Sequence, residues 1–229
     1  MNCYLESCGI DLSPERLQKL EIFKDLLLEY NEKYNLTAIC EPKDIYIKHF
    51  CDSILPENLF TKGAKVVEIG SGGGFPSLPL KIVRDDLSFT LIESTGKKCN
   101  FLNAAVDSLN LDGVQVLNIR AEEGGRSENL REKFDIATAR AVAKLNTLCE
   151  YCLPLVKVGG LFIAYKGACE NELEESGSAI NILGGKVQFV KTYSLPEDGG
   201  KRTVIVIKKV SATPTKYPRG RGLERKKPL

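Results

Sequence analysis

Four glycines in five positions, Gly70, Gly72, Gly73 and Gly74, follow the run Val66-Val67-Glu68-Ile69 and precede Phe75-Pro76. The run has the pattern of a buried strand, and residues without a β-carbon let a backbone pass close to a ligand. Pro76 suits the first turn of a following helix, whose amides have no partner inside it. The spacing excludes two common ligand loops. A dinucleotide fingerprint needs a third glycine where Phe75 or Ser77 stands, so both of its frames fail, which counts against a nicotinamide-dependent oxidoreductase. A phosphate loop needs a glycine five positions before Gly-Lys, and the pairs that start at Gly96, Gly185 and Gly200 have Leu91, Ile180 and Leu195 there.

What stands instead, an acid and three alternate glycines at Glu68, Gly70, Gly72 and Gly74, resembles the first motif of Rossmann-like methyltransferases that use S-adenosylmethionine. Other chemistry-bearing residues fall in register with it. Residues 87–93 read as a second strand ending in Glu93, whose carboxylate can accept from both hydroxyls of an adenosine ribose. Residues 114–119 lead into Arg120-Ala121-Glu122, with Glu122 the candidate reader of the adenine edge. The strand 134–139 ends at Arg140, and the strand 161–165 delivers Lys166 to the same edge, where ligands of open α/β sheets collect. Taken singly, a strand-end acid is ordinarily a solvated turn residue, and Lys166 or Arg140 an ordinary surface charge or ion-pair partner. It is the ordered series that describes a site.

The elements that must position these residues alternate in the order of a doubly wound parallel sheet. Crossover helices are expected over 97–109, 145–156 and 170–183, and the last two strands over 186–195 and 202–210. Ahead of the sheet, Ser13-Pro14-Glu15 starts a helix with one apolar face at Leu17, Leu20, Phe23, Leu27 and Tyr30. A second helix over 45–55 carries His49, by default a hydrogen-bonded structural residue. The division read from this pattern is a helical extension over 1–60, a ligand-binding domain over 61–210 and a polar, unstructured tail over 211–229.

Several further motifs narrow the resemblance. Gly70 to Pro76, Lys97-Lys98 with Phe101-Leu102, Arg120-Ala121-Glu122, Arg140-Ala141-Val142-Ala143, Lys216-Tyr217-Pro218-Arg219 and the earlier Tyr34-Asn35-Leu36-Thr37 and His49 with Asp52-Ser53 are together similar to the RsmG (GidB) family. The resemblance implies a Rossmann-like methyltransferase with a mostly parallel seven-stranded sheet, its last strand antiparallel. It also implies transfer of a methyl group from S-adenosylmethionine to N7 of a guanine in bacterial 16S ribosomal RNA, within the 30S subunit. The resemblance implies cofactor contacts at Gly70, Phe75, Ala121, Glu122 and Arg140, and the glycine loop and the strand spacing add Gly72 and Glu93. The sequence departs from the family at Ser77, where glycine is usual, at Lys144 and Glu224, where proline is, and at Glu93, where aspartate is common.

Guanine N7 has an in-plane lone pair and no proton, so alignment can replace a general base. Neither an Asn/Asp-Pro-Pro-Tyr loop nor a Pro-Cys pair for cytosine chemistry is present. Arg140, Lys166 and Arg202 are the candidates to hold the base through its O6. The net charge is +2, but from Lys201 onward ten Lys or Arg face Glu224 alone. That segment carries +9 and leaves −7 on the rest, which suits RNA phosphates, with Lys216, Arg219 and Arg221 as the expected contacts. Eight cysteines with no secretory segment ahead of them read as reduced thiols, and Cys149-x-x-Cys152 as buried residues of a helix; one histidine and no second cysteine pair predict no metal. No apolar stretch is long enough for a membrane helix, so a cytoplasmic monomer is expected. A non-catalytic RNA-binding or ribosome-assembly factor that keeps the cofactor fold stays open at this level, as does another methyl acceptor.

Overall fold

Each strand expected from the sequence forms: β1 (Lys65–Ile69), β2 (Ser88–Ile92), β3 (Val114–Leu117), β4 (Phe134–Arg140), β5 (Val156–Lys166), β6 (Gly185–Ser194) and β7 (Lys201–Lys209). The computed structural model describes residues 2–167 and 171–229. The sheet order is β3-β2-β1-β4-β5-β7-β6, parallel except for β7, which runs antiparallel to both neighbours. The chain moves outward from β1 through β2 to β3, then returns to the other side of β1 to lay down β4. Loops leaving β1 and β4 therefore part in opposite directions and open a crevice above their carboxyl ends, the usual ligand position in such sheets.

Apolar residues cover both faces. On one, the helix Pro14–Tyr34 buries Leu20, Phe23 and Leu27. Phe23 lies 5.7 Å from the Phe50 ring and 5.3 Å from that of Phe75, so this early helix shares a core with the glycine loop. Ser13 caps the helix by accepting from the Arg16 amide, and Asn35 ends it in a left-handed conformation. On the other face, Leu148, Cys149 and Cys152 of the helix Leu145–Cys152 pack against Phe162 and Ile205. Simple burial is thus the role of this cysteine pair, and burial raises both thiols.

Three expectations are corrected. The second helix is not uniform: Pro42–Asp44 and Asp52–Ile54 flank a wide π-helical stretch, Ile45–Cys51, that carries His49. The helix expected over 170–183 is two short ones, Glu172–Glu175 and Gly177–Ile182, broken where Ser176 turns its hydroxyl onto the Glu172 carbonyl; Glu170 and Cys169 lie outside the described residues. The segment 211–229 is folded. Thr213, Tyr217 and Glu224 are buried, Arg131 donates to the carbonyls of Thr213 and Tyr217 at 2.7 and 2.8 Å, and Arg126 donates to that of Pro218 at 2.9 Å. Low apolar content made this segment read as unstructured, but its backbone is held by arginines of an earlier part of the chain.

Candidate active site

The glycine loop needs its glycines for distinct reasons. At Gly70 (φ 68°) a β-carbon would come 2.7 Å from Val142, and at Gly74 (φ 82°) it would meet Leu78 inside the core. At Gly72 (φ 51°) it would meet only the Gly70 carbonyl at 3.7 Å, so that side of the loop is open toward the groove. Glu68 does not reach the groove. It is fully buried under the loop, and burial pushes its carboxyl up to about 8, the hydroxyls of Ser77 and Ser71 acting in the opposite direction. Ser77, where the resembled family has glycine, is therefore a polar neighbour of the motif's acid.

Glu93 ends β2 as expected, with a further task. One carboxylate oxygen accepts from the Gly72 amide at 3.0 Å and the other from the Thr95 amide at 2.8 Å. The side chain fastens the glycine loop to the neighbouring strand, and each oxygen keeps a second lone pair.

Three hollows run in series along the carboxyl edge of the sheet. The first, about 290 Å³, is lined by Ile69, Ile92, Ile119, Ala121 and Glu122. The second, about 490 Å³, shares Gly70, Ser94 and Val142 with it and continues past Gly72, Phe75 and Glu93. The third, about 380 Å³, shares His49, Arg140 and Ala141 with the second, and brings Lys48, Asp52, Lys166 and Arg202 together. The seven residues expected to hold the cofactor line the first two, and the three expected to hold the base line the third.

Arg140 occupies the junction. It is partly buried and donates to Asp52 at 3.0 Å and to the Lys48 carbonyl at 3.3 Å; its guanidinium carbon sits 4.9 Å from the centre of the Phe75 ring. A second arm lies 2.9 Å from His49 Nδ1. Arginine can only donate, so Nδ1 carries the lone pair and the ring proton is on Nε2, directed to the Thr37 hydroxyl at 2.9 Å. Burial, then the charge of Arg140, pushes His49 down to about 3, so the ring is neutral. Its face stacks on Phe75 at 4.3 Å.

Asp52 is the hub of the third hollow. It receives Arg140, the Tyr193 hydroxyl at 3.0 Å and Arg202 at 3.6 Å. Lys166 is less available than its position suggests, because its ammonium is held by Glu172 at 2.6 Å and by the Ala143 carbonyl at 3.1 Å.

Arg219, one of the three expected RNA contacts, has a partner inside the protein. Arg219 makes a two-pronged pair with the fully buried Glu150, at 2.9 Å through Nε and 2.7 Å through an end nitrogen, and is a pin rather than a free cation. Lys216 and Arg221 are exposed. Sequence reasoning gave no role to Asp52 or Tyr193: the pairing of residues 52, 140, 193 and 202 depends on the helical extension meeting the sheet edge, which no local spacing reports. Among the described residues no helix is long and apolar enough to cross a membrane.

A seven-stranded, mostly parallel sheet with a crevice at its switch point and an acid-tied glycine loop is the Rossmann-like fold of S-adenosylmethionine-dependent methyltransferases. An Aquifex aeolicus SAM-dependent methyltransferase has this fold, with a TM-score of 0.55 at 16% identity over 74% of this chain and 94% of that one. The particular family follows from closer similarity. Residues 16–203 match the GidB model, rRNA small subunit methyltransferase G, and the chain belongs to that family. Ribosomal RNA small subunit methyltransferase G of Lactobacillus johnsonii is 46% identical over 98% of this chain and 96% of its own, and that of Acetivibrio thermocellus 46% identical over 96% and 92%.

Proposed function

We propose that this chain transfers the methyl group of S-adenosylmethionine to N7 of a guanine in 16S ribosomal RNA within the 30S subunit, as a cytoplasmic monomer. The relatives are named for small-subunit ribosomal RNA. The observation that carries the choice of atom is the make-up of the third hollow. Cations line it, and among its described residues the side-chain acids and the imidazole each have a donor beside them: His49 has Arg140, Asp52 has two arginines and a tyrosine, Glu172 has Lys166. Acids paired with cations are weak bases, which suits a nucleophile that needs no base, and guanine N7 has a free lone pair.

The cofactor supplies an electrophilic methyl group on sulfur. The first two hollows fit it: Glu93 has acceptor capacity left for ribose hydroxyls, the open side of Gly72 leaves room for close approach, and Ala121 with Glu122 would receive the adenine. Arg140, touching both sides of the junction, would orient the reacting partners. Arg202 and Lys48 would donate to guanine O6 from a base splayed out of its stack, leaving N7 uncovered. Lys166 would act through Glu172 to shape the rim, while Lys216 and Arg221 would meet phosphates.

Mass mapping of 16S RNA from cells with and without the protein tests this reading. One 7-methylguanine should be missing from the cells that lack it, and identical maps would overturn the proposal.

A further inference from the structure

The folded C-terminal segment reaches the trough, and this has a consequence for the cofactor that rests on the reading above. Glu150 and Thr147, both buried in the helix Leu145–Cys152, hold it from beneath: Arg219 pairs with Glu150, and the Thr147 hydroxyl donates to the Glu224 carbonyl at 2.9 Å. Glu224 is itself fully buried and its carboxylate accepts from the Gly220 amide, closing residues 220–224 into a tight loop. Five residues that could have been a loose end are thereby fixed in one path. That path sets Gly222 and Arg225 against the first hollow, which Glu122 also lines.

Arg225 lines both the first and the second hollow, so it sits at the boundary between the proposed adenine and ribose positions. Its guanidinium is exposed and lies beside the Tyr151 hydroxyl, which also lines the first hollow. Of the exposed cations beyond Lys201, Arg225 is the one that borders these two hollows. Phosphate contact is the general task of such cations, yet the walls here are Ile69, Ile92 and Ile119, which suit the flat, uncharged face of a purine. A guanidinium is planar and weakly hydrated, and stacks on such faces.

The geometry points to Arg225 as a binding residue for the adenosyl half of the cofactor, with residues 219–225 as a fixed wall of that site. The segment would then serve two ligands from two surfaces: RNA through Lys216 and Arg221, and the cofactor through Arg225.

Calorimetric titration of the full chain, without RNA, with S-adenosylhomocysteine and with 5′-methylthioadenosine tests this, the second ligand lacking the amino-acid end. Arg225→Ala should weaken both by roughly tenfold, in the range of a cation over an aromatic face. Arg225→Lys should recover little, because charge without the planar fork does not stack. Unchanged affinities for both ligands would overturn the inference, and so would a loss confined to S-adenosylhomocysteine, which would put the contact at the amino-acid carboxylate. Glu93→Gln separates the two levels: if it weakens binding while Arg225→Ala does not, the cofactor reading stands and the wall falls. A parent chain that binds neither ligand overturns both.

Discussion

The two ends of the trough are built differently. The cofactor end is made of backbone: three positive-φ glycines and the amides of Gly72 and Thr95 held by Glu93, all within residues 68–95. The acceptor end is made of side chains from three distant places, with Asp52 joining Arg140 and the cross-strand pair Tyr193 and Arg202. A backbone cradle is specified by the steric demands of a few consecutive residues, so it is local and hard to replace. A side-chain cluster depends on the rest of the fold for its assembly, and its parts hold one another in place.

Arg140 belongs to both ends, and its removal should have the largest effect. Arg140→Ala removes the donor of His49 Nδ1 and the shortest ion pair of the buried Asp52, and breaking a buried pair costs about 3–5 kcal/mol. Single-turnover transfer should fall by roughly a thousandfold, with weaker cofactor binding as well. A loss limited to the acceptor would assign Arg140 to one end only. Next comes Arg219→Ala, which orphans the buried Glu150 and should lower unfolding stability by about 3 kcal/mol in urea titration. If stability holds and only RNA affinity drops, Arg219 is the phosphate contact that its sequence context suggested.

Gly72→Val tests the backbone end alone. Its side chain would point into open groove rather than core, so the fold should persist, at a strain of about 1–2 kcal/mol, while cofactor affinity falls at least roughly a hundredfold by calorimetry. Retained affinity would mean the ligand does not approach the loop.

This contrast explains how much was legible in the sequence. All seven strands and the glycine loop were, because alternating strand and helix patterns and glycine spacing are short-range signals. Glu93 was placed correctly, but its bonds to Gly72 and Thr95 were not foreseen, since a strand-end acid reads the same whether it holds ribose or a loop. Arg140, Lys166 and Arg202 were brought to one hollow as expected, whereas Asp52 had no signal beyond a motif shared with the resembled family. The tail was misread because composition reports the capacity for an apolar core, and this segment is held by Arg126, Arg131 and Glu150 instead.

A smaller effect probes how the acceptor end is poised. His49 titrates near 3 in the fold against 6.5 in an unfolded chain, so the unfolded state binds the extra proton between those values. Its contribution to stability is complete above about pH 6.5 and is lost as pH falls toward 3, reaching about 2 kcal/mol at pH 5. His49→Gln should flatten that part of the acid limb in urea titrations at pH 5 and 7; equal slopes would mean the ring is not held neutral. The smallest change concerns the exposed cations. Lys216→Ala with Arg221→Ala should lower the log-log salt dependence of binding to 30S subunits by about two units and leave cofactor affinity unchanged. An unaltered slope would place the RNA elsewhere.

The central claim, that the two ends meet at Arg140 so that a guanine N7 receives the methyl group, is tested most directly by single-turnover transfer of labelled methyl from S-adenosylmethionine to 30S subunits, followed by borohydride reduction and aniline treatment. Chains that carry 7-methylguanine break at that residue, so the account predicts scission at one guanine, in step with label incorporation. Label that accumulates without scission would put the methyl group on another atom and contradict the account.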